Sequence, residues 1–134
     1  FLLERVKLVG YEHTPSINHS VVLDLRASLL EKWGCTTTQK LAIIGITKTD
    51  YHRYQKNKQV YLDKEQLERL SYLANIHQNL RVAFSNPDNV YGFMNMTNNN
   101  SYFNGRTLLS IIATGNFDSL DELFKHIVSM ATGL

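Results

Sequence analysis

The sequence predicts an all-α fold. Apolar residues return at helical spacing in several separate stretches, most of these stretches open on a residue able to cap a helix, and no run alternates polar and apolar residues long enough to make a useful strand. The chain has 134 residues, of which 43% are hydrophobic, enough to bury a core in one compact domain or in two small ones sharing a core. Its single cysteine, Cys35, excludes an internal disulfide framework and points to a reducing cytoplasm, with Cys35 itself a small residue near a turn. No apolar run approaches the roughly 20 residues that span a bilayer, and the opening FLLERVKLVG is too short and too charged for a secretory signal, so a soluble protein without membrane partners is expected. Because the first residue is Phe1, the chain is expected to begin inside a longer product.

Residues 1–17 hold Gly10 and Pro15 with mixed polarity and no sustained period and read as a loose arm or a short strand. From Ser20, the residues Val21, Val22, Leu25, Leu29 and Leu30 recur at helical spacing up to Trp33, and Gly34 stops the helix. Thr36 or Thr37 caps a second helix, TTQKLAIIG, that ends at Gly45. Thr47 and Asp50 approximate a capping box for a third helix reaching about Asn57. Asp63 and Gln66 repeat the device, with Leu62 placed to staple onto Leu67, for a fourth and longest helix carrying the seam Leu67, Leu70, Ala74, His77, Leu80 and Phe84.

Residues 85–104 break the period with Pro87, Gly92 and seven asparagines, so a packed loop with about one helical turn is expected there. Tyr91, Phe93, Met94 and Phe103 would keep it from being a free linker. Leu108, Leu109, Ile111 and Ile112 make a short helix stopped by Gly115, and Ser119 with Glu122 forms a capping box ahead of Leu120, Leu123, Phe124, Ile127 and Val128. The expected organisation is an arm over 1–19, a first body with its long connecting helix over 20–84, and a second small helical body over 85–134.

The net charge of +2 is unevenly spread. Residues 37–59 contain Lys40, Lys48, Arg53, Lys56 and Lys58 against Asp50 alone, a local +4, while 1–36 and 60–84 balance to zero and 85–134 carries −2. This basic island falls on LAIIGITKTDYHRYQKN, residues 41–57, which reads as a helix end, a turning Gly45 and a second helix. Ile46, Tyr51 and Tyr54 would face the core and leave Lys48, Thr49, His52, Arg53 and Lys56 outward. A helix presented in this way enters the DNA major groove: Lys48 and Lys56 reach phosphates, Arg53 can fork onto a guanine, and His52 or Thr49 can touch a base edge. The plain alternative is a solvated helix face.

Elsewhere the residues offer little chemistry. The five histidines, at 13, 19, 52, 77 and 126, show no paired metal-ligand spacing, and one cysteine does not complete a zinc site. No phosphate-cradling glycine loop, nucleophile elbow or carboxylate pair is present, so binding rather than catalysis is expected, without metal or cofactor.

Taken together these stretches resemble the Xre/MbcA/ParS antitoxin family over roughly residues 20–134. The resemblance rests on Trp33-Gly34, on LAIIGI (41–46), on YHRY (51–54), on LDKEQLERLSYLANIHQNLRVAF (62–84), on NSYFNGRTLL (100–109) and on ATGNFDSLDEL (113–123). The chain departs from the family pattern at Asn99 and Leu108, where proline is usual, and at Asn104, where a second glycine is common. Asn104 still tolerates positive φ, while the missing prolines are expected to leave the start of the helix at Leu108 less fixed.

The resemblance implies a helix-turn-helix (Xre-like) domain joined by a long helix to a small helical toxin-binding domain. It implies an antitoxin that acts as a homodimer, binds its own promoter DNA and blocks the NAD-consuming active site of a cognate RES-domain toxin. On that reading Asn100, Phe103, Gly105 and Arg106 shape the toxin-facing surface, joined by Thr132, Gly133 and Leu134 at the chain end. Arg106 could meet a toxin carboxylate or cap carbonyls of its own domain, and Asn100 could fix a turn through its own backbone. Two alternatives stand beside it: a transcription regulator whose C-terminal half dimerises or senses a ligand, and a protein-binding adaptor whose helix-turn-helix no longer contacts DNA.

Overall fold

The computed structural model describes residues 18–133. Among them are seven helices: α1 (Ser20–Lys32), α2 (Thr37–Ile44), α3 (Lys48–Gln55), α4 (Lys64–Ala83), α5 (Pro87–Met94), α6 (Leu108–Ile112) and α7 (Phe117–Thr132). A two-residue antiparallel ladder between β1 (Thr97–Asn98) and β2 (Arg106–Thr107) pairs Thr97 with Thr107 and Asn98 with Arg106. The protein is essentially all-α, as the helical periods require.

Side-chain caps fix most helix starts. Thr36 accepts the Gln39 N–H while the Gln39 side chain accepts the Thr36 N–H, a closed capping box, and Asp63 with Gln66 makes another. Thr47 accepts the Asp50 N–H at 3.1 Å. Thr107 accepts the Ser110 N–H at 3.0 Å. The start of α6 is therefore fixed by a hydroxyl, and the absence of proline at Leu108 does not loosen it.

Four expectations are corrected. Helix α7 starts at Phe117, because Asn116 caps it by accepting the Ser119 N–H at 3.2 Å, so Ser119 lies inside the helix and is not its cap. The stretch after Phe84 holds the two-turn helix α5, started by Asn86 as cap and Pro87 in the first turn. On α1 the core face is Val22, Leu23, Ala27 and Leu30, while Val21 and Leu25 are exposed. Asn18 and His19, expected in the arm, are tied to the body: the Asn18 side chain accepts the Val60 N–H at 3.1 Å, and His19 Nδ1 accepts the Leu62 N–H at 2.8 Å, while the rest of the expected arm, 1–17, lies outside the described residues.

The long helix α4 is the hub. Residues Leu67, Leu70, Tyr72, Leu73, Ile76 and Leu80 are buried on it, on faces that together exceed the single seam read from the sequence. It packs on α1, α2, α5 and α7. Each fully buried Leu or Ile contributes on the order of 2 kcal/mol by removal of apolar surface from water. Buried residues from both sides of Phe84 form one cluster running from Val22 to Ile127. The helix-turn-helix segment and the C-terminal helices therefore share a core.

Candidate nucleic-acid interface

Gly45 ends α2 in the left-handed conformation, at φ 74°, and donates its N–H to the Leu41 carbonyl, a C-cap that glycine adopts without a Cβ penalty. Ile46 and Tyr51 flank the Thr47 cap at the positions of a hydrophobic staple, and both are buried. The turn is held from behind by α4: Gln66 donates its side-chain N–H to the Gly45 carbonyl at 2.9 Å. Arg69, a cation only 7% exposed, donates Nη1 to the Ile43 carbonyl at 3.5 Å, pairs with Glu65 at 3.4 Å and lies 5.6 Å from the Phe117 ring centroid. A buried cation is tolerated only with such partners.

Helix α3 places its residues as the spacing dictates. At 100° per residue, Lys48, Thr49, His52, Arg53 and Lys56 span about 140° of the helix circumference, and Tyr51 and Tyr54 lie opposite. All five are exposed, Tyr51 is buried and Tyr54 is half-buried. The two phenol rings stand 5.5 Å apart at 42°, and the Tyr54 hydroxyl donates to Asp24 Oδ1 on α1 at 2.6 Å. Burial, with the Asp24 carboxylate next to it, raises the Tyr54 pKa far above its ordinary value, so the donor keeps its proton. Lys48, Arg53 and Lys56 form no ion pair with any described residue. The helix proper ends at Gln55, with Lys56 as its C-cap and Asn57 at φ 59°.

Lys40 does not belong to this surface. It is buried to 9% exposure and ion-paired with Glu31, which raises its pKa, the Glu31 hydrogen bond being the main cause. Counting charge along the chain placed it in the basic island, whereas its position on the inner side of α2 puts it behind the island. The outward cations between 37 and 59 are Lys48, Arg53, Lys56 and Lys58.

The second group of candidate residues lies at the other end of the chain. Asn100 Oδ1 accepts the N–H groups of Tyr102 at 3.1 Å and Phe103 at 2.8 Å, a local turn closed by its own backbone. Asn104 and Gly105 follow with φ of 50° and 83°. Arg106 turns back on its own loop, donating Nε to the Phe103 carbonyl at 2.8 Å and Nη2 to the Tyr102 carbonyl, with its guanidinium 5.5 Å from the Tyr102 ring. Tyr102 in turn stacks on His126 of α7 at 3.7 Å. Phe103 is buried and meets Phe93 edge-on, so it shapes the loop from inside and offers no contact surface. Thr132 and Gly133 are exposed at the end of α7, where Gly133 is a left-handed C-cap at φ 75°; Leu134 lies outside the described residues. Asn100, Gly105 and Arg106 come together on one loop.

Sequence reasoning missed Arg69, Asp24 and the second role of Gln66. The amide of Gln66 was legible as a cap but its reach to Gly45 depends on how α2 and α4 cross. Arg69 and Asp24 look like ordinary solvated residues until the fold brings Ile43 and Tyr54 to them.

No helix among the described residues is long and apolar enough to cross a membrane. Comparison of the chain with curated proteins gives no match. Residues 16–75, a segment that ends midway along α4 and contains all of α1, α2 and α3, match the model of the antitoxin Xre-like helix-turn-helix domain, so the part of the chain that carries α3 is similar to the helix-turn-helix domain of that antitoxin family.

Proposed function

We propose that the protein is an antitoxin that represses its own operon by binding promoter DNA through α3 and neutralises a cognate RES-type toxin by covering its active site. The observation that carries the DNA half is the pairing of opposites on α3: three cations with no ion pair among the described residues face solvent, and two tyrosines fasten the other side. Lys48 and Lys56 contact phosphates, and Thr49, His52 and Arg53 stand at the height of base edges. A homodimer would set two such helices against two half-sites.

The toxin half rests on the likeness of NSYFNGRTLL to the family motif and on the match of residues 16–75 to an antitoxin domain. Asn100, Gly105 and Arg106, with Thr132, Gly133 and Leu134 at the chain end, form the proposed toxin-facing surface, and the pair would act in the cytoplasm. Phe103 contributes by holding the loop in shape. The deciding experiment is co-expression with the product of the adjacent reading frame. The proposal expects a stable complex in which that product no longer consumes NAD. A regulator without a toxin partner would instead bind promoter DNA and leave the neighbouring product uncaptured and unaffected.

A further inference from the structure

Helix α3 is held thinly for an element that must present side chains accurately. It has eight residues, only Tyr51 of them is buried, and a groove of about 710 Å³ separates it from α1, lined among others by Asp24, Ser28, Tyr51 and Tyr54. Packing of Tyr51 and Tyr54 on the core seats one side of α3, and across the groove the Tyr54 hydroxyl donates to Asp24 Oδ1 at 2.6 Å, joining positions thirty residues apart. A neutral hydroxyl bound to a carboxylate is a short, charge-assisted contact, stronger than a bond between neutral groups.

Asp24 is exposed on α1, as are Val21 and Leu25, and among the described residues it forms no ion pair. A carboxylate on the DNA-facing domain opposes binding to a polyanion by simple Coulomb repulsion. Its benefit must therefore be geometric.

We propose that Asp24 is a positioning residue for DNA recognition: its carboxylate is the strut that sets the rotation of α3 through Tyr54, so that Arg53 and His52 meet base edges in register. The inference rests on the reading of α3 as the DNA-contacting helix. Base-edge contacts depend on side chains being held within about 0.5 Å of their productive positions, whereas phosphate contacts through long lysines tolerate more displacement. Loss of the strut should accordingly cost sequence discrimination and spare non-specific binding.

The test compares the full chain with its Asp24→Ala, Asp24→Asn, Tyr54→Phe and Asp24→Ala/Tyr54→Phe variants on two duplexes, the promoter fragment and a scrambled fragment of equal composition. Urea unfolding is measured on each variant alongside. Asp24→Ala and Tyr54→Phe are expected to weaken promoter binding by about tenfold while the scrambled duplex binds as well as before or more tightly, since Asp24→Ala removes a negative charge. Asp24→Asn keeps an acceptor oxygen and should retain most of the discrimination, and the double variant should be no weaker than either single one. The proposal is overturned if Asp24→Ala and Asp24→Asn tighten both duplexes alike, which would make Asp24 only a charge, or if discrimination falls only in proportion to lost stability. Wild-type protein that binds both duplexes equally would remove sequence reading by α3, and the strut with it; wild-type discrimination with an indifferent Asp24→Ala would remove the strut alone.

Discussion

Gly115 lies so close to Ala42 that a Cβ on the glycine would stand 3.0 Å from the Ala42 carbonyl oxygen. The turn ahead of α7 is thus seated directly on α2, one turn of chain away from Gly45. Gly115 also has φ 76°, so an alanine there would suffer left-handed strain and a backbone collision together. Gly115→Ala should destabilise the protein by about 2 kcal/mol or more. Gly133→Ala has the same strain at φ 75° with no other described residue within 4 Å, and should cost about 1 kcal/mol. Urea midpoints of the two variants separate the contact from the strain.

Tyr72 on α4 donates its hydroxyl to Asp121 Oδ1 on α7 at 2.6 Å. That bond, aided by Lys125, lowers the Asp121 pKa below 3.8, while burial and the same carboxylate raise the Tyr72 pKa above 10.0. A lowered carboxylate stabilises the fold above its unfolded pKa and loses that contribution as pH falls through the folded value. A raised phenol leaves stability intact below its unfolded pKa and costs stability as pH rises past it. Thermal midpoints should therefore fall below about pH 4 and above about pH 10, and Tyr72→Phe should flatten both limbs relative to the parent.

His77 stands beside Trp33, with ring centroids 6.2 Å apart, and stacks on Tyr91. Burial first, and then the nearby cations Arg81, Lys32 and Arg26, lower its pKa from 6.5. The folded state resists protonation that the unfolded chain accepts, so its contribution is complete above pH 6.5 and is lost as the pH falls through that value toward the folded pKa. His77→Gln should reduce the loss of stability between pH 7 and pH 5. An unchanged slope would show that His77 is not the group responsible.

Cys35 is buried, and burial pushes its thiol up to about 11. Thiolate, the reactive form, is then scarce at neutral pH. Alkylation of the native protein at pH 7.5 should be slow and should accelerate on adding urea. Rapid native labelling would contradict the buried placement.

The elements that local chemistry specifies were legible in the sequence. Asp63 with Gln66, Thr47, Gly45, and the inward Tyr51 and Tyr54 could all be placed from spacing, because caps and period-3.6 faces are decided within one or two turns. What escaped was decided by tertiary packing. Helix α5 was hidden among asparagines, although Asn86-Pro87 is a valid helix start, because its stability comes from burying Val90, Phe93 and Met94. Val21 and Val22 are adjacent, so the pattern did not settle which of them faced the core. Lys40 was misplaced because charge counted along a chain ignores which side of a helix it occupies. The C-terminal candidate residues were brought to notice by resemblance, and only their local hydrogen bonding could have been anticipated from the residues alone.

The most direct test of α3 as the DNA-reading element is the salt dependence of promoter binding by the parent and by a Lys48→Ala/Arg53→Ala/Lys56→Ala variant. All three side chains are exposed, so the variant should fold as the parent does. For the parent, log affinity should fall steeply with log salt, and removing the two phosphate-reaching lysines together with the base-reading Arg53 should lower that slope by roughly 2 and abolish promoter binding at physiological ionic strength. A variant that keeps the parent's affinity and slope would show that the basic face of α3 does not touch DNA.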